Sequence, residues 1–327
     1  MRLMEQHPSN QRKAPAGVHA LVTGGSGYIG SILCEHLLGT GCRVTAIDNL
    51  MYGEAPLFHL CGNPCFEFVL GDVRDEALMR RLTRDADVLI PLAAVVGAPA
   101  CDRDAVLARS VNLEAIRLLN HLRSPRQLVI FPTTNSGYGT QSGETYCTEE
   151  TPLEPISLYG QTKVQAESEL LGSPNAITLR LATVFGMSPR MRLDLLVNHF
   201  VYAACTDGYI VIFERDFKRN YIHIRDVAAC FIHCIENAER MAGRAYNVGL
   251  DAANLSKEEL VLKIKEYVPN FYIHFGAVGS DPDKRNYIVS NQRLREAGFE
   301  ARRSLDQGIQ ELIKGYRMIG RGRFRNA

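Results

Sequence analysis

The segment "SLYGQTK" places Tyr159 and Lys163 four residues apart, on one face of a helix spanning them. A phenol with its ordinary pKa of about 10 is a poor base at neutral pH. An ammonium one turn away favours the phenolate, which can take a hydroxyl proton while hydride leaves the same carbon. Taken alone, the spacing also suits an exposed Tyr/Lys pair. A second loop, "PTTNSGYG" at 132–139, crowds three hydroxyls, an amide and a tyrosine into eight residues. Its threonines could equally cap a turn.

Upstream, "TGGSGYIG" spaces Gly24, Gly27 and Gly30 so that the chain can turn tightly, let a pyrophosphate approach the backbone and pack helix on strand. Asp48 ends the next strand, "CRVTAID", about 20 residues on, where a carboxylate accepts ribose hydroxyls and repels a 2′-phosphate. Arg43 opens that strand but no arginine directly follows Asp48, so NAD is expected over NADP. Asp72, in "GDVRD", could meet an adenine amino group or cap a helix; Asp75 fits the cap better.

The elements that must position these residues alternate. "VHALVTGG", "CRVTAID", "FEFVLGDVRD", "ADVLIPLAA", "QLVIFPTT" and "AITLRLATVFG" predict buried strands. Between them, helices are expected over "GYIGSILCEHLLGTG", "EALMRRLTRD", "DAVLARSVNLEAIRLLNHLR" and "SLYGQTKVQAESELLG". This is the pattern of an α/β doubly wound parallel sheet, whose ligands bind at the carboxyl ends of the strands. After residue 186 the alternation weakens into helices near 192–206, 226–239, 256–266 and 304–319, joined by strands at "YIVIF", "RAYNVG" and "FYIHFG". The expected division is a disordered extension at 1–16, a dinucleotide-binding domain at 17–186 and a smaller mixed α/β lobe at 187–327 interleaved with it.

The 327 residues exceed the roughly 250–300 at which one core stops growing. With 37 Lys+Arg against 36 Asp+Glu, no whole-chain field favours nucleic acid or an anionic membrane. The nine cysteines show no paired metal spacing and read as reduced thiols of a cytoplasmic protein, with no metal site. The first residues lack a signal peptide's apolar segment, and no apolar run approaches the about 20 residues that span a bilayer.

"TGGSGYIG", "GDVRD", "PLAA", "YGQTK" and "RNYIHIRDVA" follow one another in the order found in extended short-chain dehydrogenase/reductases of the NAD-dependent sugar-nucleotide epimerase/dehydratase family, which the chain resembles from residue 18 to about 318. The resemblance implies a Rossmann-type sheet and tightly bound NAD touching Gly24, Gly27, Tyr28, Ile29, Asp48, Asn49, Leu50, Asp72, Val73, Leu92, Ala93, Ala94, Tyr159 and Lys163. It also assigns Thr134 to bind the sugar's reacting oxygen, beside Tyr159 and Lys163 as catalytic residues. In relatives resembling dTDP-glucose 4,6-dehydratase, Asp and Glu follow that threonine and eliminate water. Here Asn135 and Ser136 stand there, and neither can shuttle that proton, so the chemistry is expected to stop at hydride transfer at C4. GDP-mannose 3,5-epimerases carry a loop cysteine where this chain has Ser136.

For substrate, the resemblance implies a nucleoside diphosphate sugar. Arg219 and Arg285 match positions that reach the diphosphate, and Arg190 and Arg192 in "SPRMRLD" are further candidates. Thr183 replaces the asparagine of an "R-x-x-N" pattern after Arg180, and Asn198 could meet base or diphosphate; Asn135 and Ser136 complete the expected substrate set. "PLAAVVGAP", "TNSGYG", "CTEETPL", "RLATVFGMSPRMRLDLLVNHF" and "RNYIHIRDV" resemble a narrower bacterial group that oxidises C4 of GDP-D-glycero-α-D-manno-heptose for capsule sugars, its NADH reoxidised by 2-oxoglutarate. A 4-epimerase begins with the same machinery, and a non-catalytic NAD-binding sensor is a third reading. A homodimer or homotetramer is expected through helices near 103–122 and 157–172, where Leu118, Leu119, Leu122, Val164, Leu170 and Leu171 offer apolar surface, although that pattern also serves a monomer's core.

Overall fold

The computed structural model describes residues 17–53, 55–141, 146–276 and 286–319, so the extension at 1–16 and Arg285 lie outside the described residues. Its first elements alternate: β1 (His19–Thr23), α1 (Tyr28–Gly39), β2 (Arg43–Asp48), β3 (Phe66–Leu70), α2 (Glu76–Arg84) and β4 (Val88–Pro91). Asp75 caps α2, accepting the Leu78 amide at 3.0 Å.

The long helix expected over "DAVLARSVNLEAIRLLNHLR" is interrupted. After α3 (Ala98–Arg103) come α4 (Ala105–Arg109), one π turn at Ser110–Glu114 and α5 (Ala115–Leu122). In that turn Asn112 accepts the Val95 amide at 2.8 Å and donates to the Val95 carbonyl at 2.9 Å, clamping the segment after β4.

β5 (Leu128–Thr134) and a 3-10 turn at Asn135–Tyr138 lead to β6 (Tyr146–Cys147), α6 (Leu158–Leu171), β7 (Ala176–Leu181) and β8 (Thr183–Phe185). The single strand expected over 176–186 is thus two: β7 stays in the main sheet, and β8 turns away beyond Ala182 to pair with a later strand. The remaining elements are α7 (Leu196–Thr206), β9 (Tyr209–Ile212), β10 (Lys218–His223), α8 (Ile224–Glu236), α9 (Ala238–Met241), β11 (Arg244–Val248), β12 (Asn254–Ser256), α10 (Lys257–Tyr267), β13 (Tyr272–Phe275), β14 (Ile288–Val289), α11 (Gln292–Glu296) and α12 (Leu305–Tyr316).

Seven parallel strands form the main sheet in the order β11-β7-β5-β4-β1-β2-β3. The order reverses direction between β1 and β4, which opens a crevice at their carboxyl ends. This is a Rossmann-like α/β fold. β11, read from the sequence as part of the second lobe, is an edge strand of the main sheet and pairs with β7. The smaller sheets are β12-β10-β8, β13-β9 and β14-β6, and residues of β8, β9 and β10 face the crevice. One apolar core runs from Val22 and Leu37 through Phe185 and Ile222 to Leu312, so it does not break at residue 186. A second cluster, with Leu119 and Leu170 fully inside it, fills the other face of the sheet; these two leucines serve the chain's own core. Leu122 packs beside them, partly buried.

Candidate active site

The crevice between β1 and β4 opens into a cavity of about 1190 Å³ that runs from the glycine-rich turn to the small-sheet wall. Gly24 takes φ +68°, and a Cβ there would meet the Ala93 backbone nitrogen at 2.7 Å. A Cβ on Gly30 would stand 2.3 Å from the Gly24 carbonyl. These contacts explain why both positions are glycine. Gly27 precedes α1, whose first backbone N–H groups are unused within the helix and form an anion site. The walls fit a dinucleotide: the Ser26 and Thr133 hydroxyls are buried there with no partner among the described residues.

Asp48 accepts the Ser26 amide at 3.0 Å and the Leu50 amide at 2.9 Å. Leu50 turns back with φ +52°, a left-handed backbone uncommon for leucine. Burial pushes the Asp48 carboxyl upward, while these amides and Arg190 oppose the shift. Asp72 is gripped by Arg74 through two bonds of 2.8 and 2.7 Å. That clasp holds its carboxyl down at about 2. Asn49 donates to it at 3.4 Å.

At the far end of the same cavity Thr134 closes β5. Its hydroxyl lies 2.8 Å from the Ser136 hydroxyl and accepts the Ser136 amide at 3.1 Å. Gly139 is required beyond it, because at φ +68° a Cβ would stand 2.3 Å from the Glu154 carbonyl. Ser157 caps α6 by accepting the Gly160 amide at 3.1 Å, and the helix then presents Tyr159 and Lys163 to the cavity. Lys163 is only 4 % exposed, with its ammonium 3.9 Å from the Phe131 ring centre. Burial pushes this amine down to about 7, against the opposing pull of Glu167. Tyr159 and Thr134 both line this cavity, bringing to it a phenol that can accept a proton and a hydroxyl that can hydrogen-bond an oxygen.

Gly24, Gly27, Tyr28, Ile29, Asp48, Asn49, Leu50, Asp72, Val73, Leu92, Ala93, Ala94, Thr134, Ser136, Tyr159, Lys163, Thr183, Arg190, Arg192 and Arg219 all line the cavity. Two expected substrate residues do not. Asn135 is 1 % exposed and off the wall, with no partner for its amide among the described residues. Asn198 is fully buried and its amide is spent internally: it accepts the Gly186 amide at 3.0 Å and donates to Tyr28 Oη at 3.1 Å and to the Arg192 carbonyl at 3.0 Å. It shapes the cavity wall from behind.

Arg190 lies near the β2 end of the cavity. Its guanidinium stacks on Tyr52, 4.9 Å from the ring centre, and its charge reaches Asp48. Arg192 is held by Asp194 at 2.5 and 3.2 Å, and its charge reaches Tyr159. Arg219 packs its guanidinium against Tyr287, 5.6 Å from the ring centre.

Sequence reasoning missed Ser26, Tyr52, His199, Lys257 and Tyr287, all on the wall. Ser26 was discoverable as the side chain between the glycines, and Tyr52, His199 and Tyr287 stand within two residues of Leu50, Asn198 and Arg285; Lys257 has no such local signal. All nine cysteines are free thiols, and among the described residues no His/Cys/Asp/Glu group could hold a metal ion. Among them, too, no helix is long and apolar enough to cross a membrane.

The sequence pattern of the NAD dependent epimerase/dehydratase family matches residues 20–249. A dTDP-glucose 4,6-dehydratase of Streptomyces griseus is 30% identical, over 91% of this chain and 94% of its own. UDP-arabinose 4-epimerase 1 of Arabidopsis thaliana is 28% identical, over 88% and 79%. Among solved structures, a UDP-glucose 4-epimerase of Thermotoga maritima with UDP-glucose superposes with a TM-score of 0.81 at 23% identity, covering 92% of this chain and 99% of that one. A dTDP-glucose 4,6-dehydratase of Bacillus anthracis in complex with NAD gives a TM-score of 0.80 at 21% identity, over 92% and 97%.

Proposed function

Since the chain belongs to the NAD dependent epimerase/dehydratase family, we propose that it oxidises C4 of a nucleotide sugar, with Tyr159, Lys163 and Thr134 as its catalytic residues. The cofactor is NAD, and when bound it supplies the hydride acceptor. Gly24, Gly27, Asp48 and Asp72 would hold its adenosine diphosphate half, and Lys163 its nicotinamide ribose. Tyr159 takes the proton of the C4 hydroxyl, and Thr134 donates a hydrogen bond to the oxygen that becomes the ketone. Lys163, one turn from Tyr159, keeps the phenolate accessible near neutral pH.

The observation that carries this reading is the composition of the loop after β5. Thr134 and Ser136 face the cavity, and the position between them, Asn135, is buried away from it. No carboxylic acid stands there to drive elimination after oxidation. The finer proposal is oxidation of GDP-D-glycero-α-D-manno-heptose to its 4-keto form, with 2-oxoglutarate reoxidising the bound cofactor, in a cytoplasmic homodimer or homotetramer serving capsule-sugar synthesis. It is supported by the loop and by the arginines around the cavity.

A second reading, a 4-epimerase, is favoured by the 4-epimerases among the relatives and uses the same three residues. Incubation with GDP-heptose, GDP-mannose and UDP-glucose separates the two. A ketone formed only when 2-oxoglutarate is present supports the dehydrogenase; an inverted C4 without any oxidant supports the epimerase. Tyr159→Phe is expected to lower turnover by about 10²–10⁴-fold, and full retained turnover would overturn both.

A further inference from the structure

Lys163 is followed one turn later by Glu167, so Tyr159, Lys163 and Glu167 form a line along α6. Glu167 is 2 % exposed and paired with Arg180 of β7, which is 6 % exposed. A buried Arg/Glu pair is a poor source of stability, because desolvating both ions offsets their attraction. The geometry of this one is lopsided. Arg180 Nε and Nη2 both donate to Glu167 Oε1, at 2.9 and 2.6 Å, and Oε2 has no hydrogen-bond partner among the described residues. Arg180 Nη1 donates onward to Tyr138 Oη at 3.1 Å and to the Glu149 carbonyl at 3.0 Å. Tyr138 is fully buried in the loop that carries Thr134 and donates to Asn247 at 2.7 Å.

We propose that Glu167 is a positioning residue for the reaction: anchored by Arg180, its carboxylate stands one helical turn beyond Lys163 as a buried anion on the same line of α6, and it ties α6 to the loop after β5. The surroundings of Lys163 support this. Tyr159 and Glu167 flank it on its own helix, and β5 presents the uncharged Phe131 ring. Arg180 and Tyr138 stand behind Glu167, and Arg192 reaches Tyr159 from the segment after β8. Glu167 is the anion whose field opposes the burial of Lys163. Without it, no anion among these neighbours offsets the burial of the ammonium that favours the Tyr159 phenolate. The Arg180 link to Tyr138 couples this charge to the loop that places Thr134.

The inference rests on the catalytic reading of Lys163, and the test separates the two. In NAD-loaded protein carrying [13C]lysine, the Lys163 Cε resonance, assigned by its loss in Lys163→Arg, is titrated with pH and compared with the alkaline limb of kcat. Glu167→Gln keeps shape and hydrogen bonding but removes the charge. It is expected to move the Lys163 midpoint down by about one unit or more, and the alkaline limb of kcat with it. Glu167→Asp is expected to restore both in large part. Should Glu167→Gln not fold, because Arg180 is left uncompensated, the neutral pair Glu167→Gln with Arg180→Gln is expected to show the same downward shift. A wild-type midpoint in either folded variant overturns the proposal. A shifted midpoint with an unmoved kcat limb keeps the electrostatic role of Glu167 and overturns the catalytic role of Lys163.

Discussion

Thr134 and Ser136 hold their hydroxyls 2.8 Å apart on the cavity wall, and Asn135 and Ser136 stand where the resemblance to dehydratases would put an acid and a base. Thr134 is therefore expected to act on the oxygen that gains ketone character, and only weakly on ground-state binding. In Thr134→Val, kcat is predicted to fall by about 10²-fold with KM changed much less, measured by steady-state kinetics. A rise in KM at unchanged kcat would make Thr134 a binding residue. At this scale the sequence was most informative where a motif fixes a backbone need. Gly24 and Gly139 are glycines because their φ values and neighbours admit nothing larger. It was least informative for amides. Asn135 and Asn198 look like substrate contacts in a one-dimensional string, yet one is buried off the wall and the other is consumed by Gly186, Tyr28 and Arg192.

Among the elements, α12 reaches across to hold the turn after β8 through one carboxylate. Glu311 accepts the Met187 amide at 2.9 Å, pairs with Arg225 at 2.7 Å and meets His223 at 3.2 Å. Burial alone would raise this carboxyl, but His223, the Met187 amide and Arg225 together hold it down at about 2. A carboxyl depressed in the folded state contributes stability that is full above its unfolded pKa of about 4.3 and is lost as pH falls toward 2. Glu311→Gln is predicted to cost about 1.5–3 kcal/mol near neutral pH, a difference that shrinks as the pH drops through that window. Urea unfolding across the range measures it, and a constant difference would show that the charge is not what matters. Helix and strand positions followed from apolar spacing, but two breaks did not. The π turn at Ser110–Glu114 goes with the Asn112 clamp on Val95, and the end of β7 at Leu181 with the pairing of β8 to β10. Both accompany contacts distant in sequence.

For the whole molecule, the apolar core continues past residue 186, and both parts of the chain line one cavity. Calorimetry is therefore predicted to show a single unfolding transition. NAD at a hundredfold excess over Kd should stabilise it by about 2.7 kcal/mol, raising Tm as one unit; two transitions of which only one moves would show that the parts unfold separately. The sequence by itself determined the alternating α/β order, the glycine-rich turn, the Asp48 terminus of β2 and the helical pairing of Tyr159 with Lys163. These are local: each depends on periodicity or on what one backbone position tolerates. The tertiary structure alone decided that β11 joins the main sheet beside β7, that Arg190 stacks on Tyr52, and that Glu167 meets Arg180 and, through it, Tyr138. Those facts depend on how distant segments fill the same space, and no spacing along the chain encodes which buried charge will find which partner.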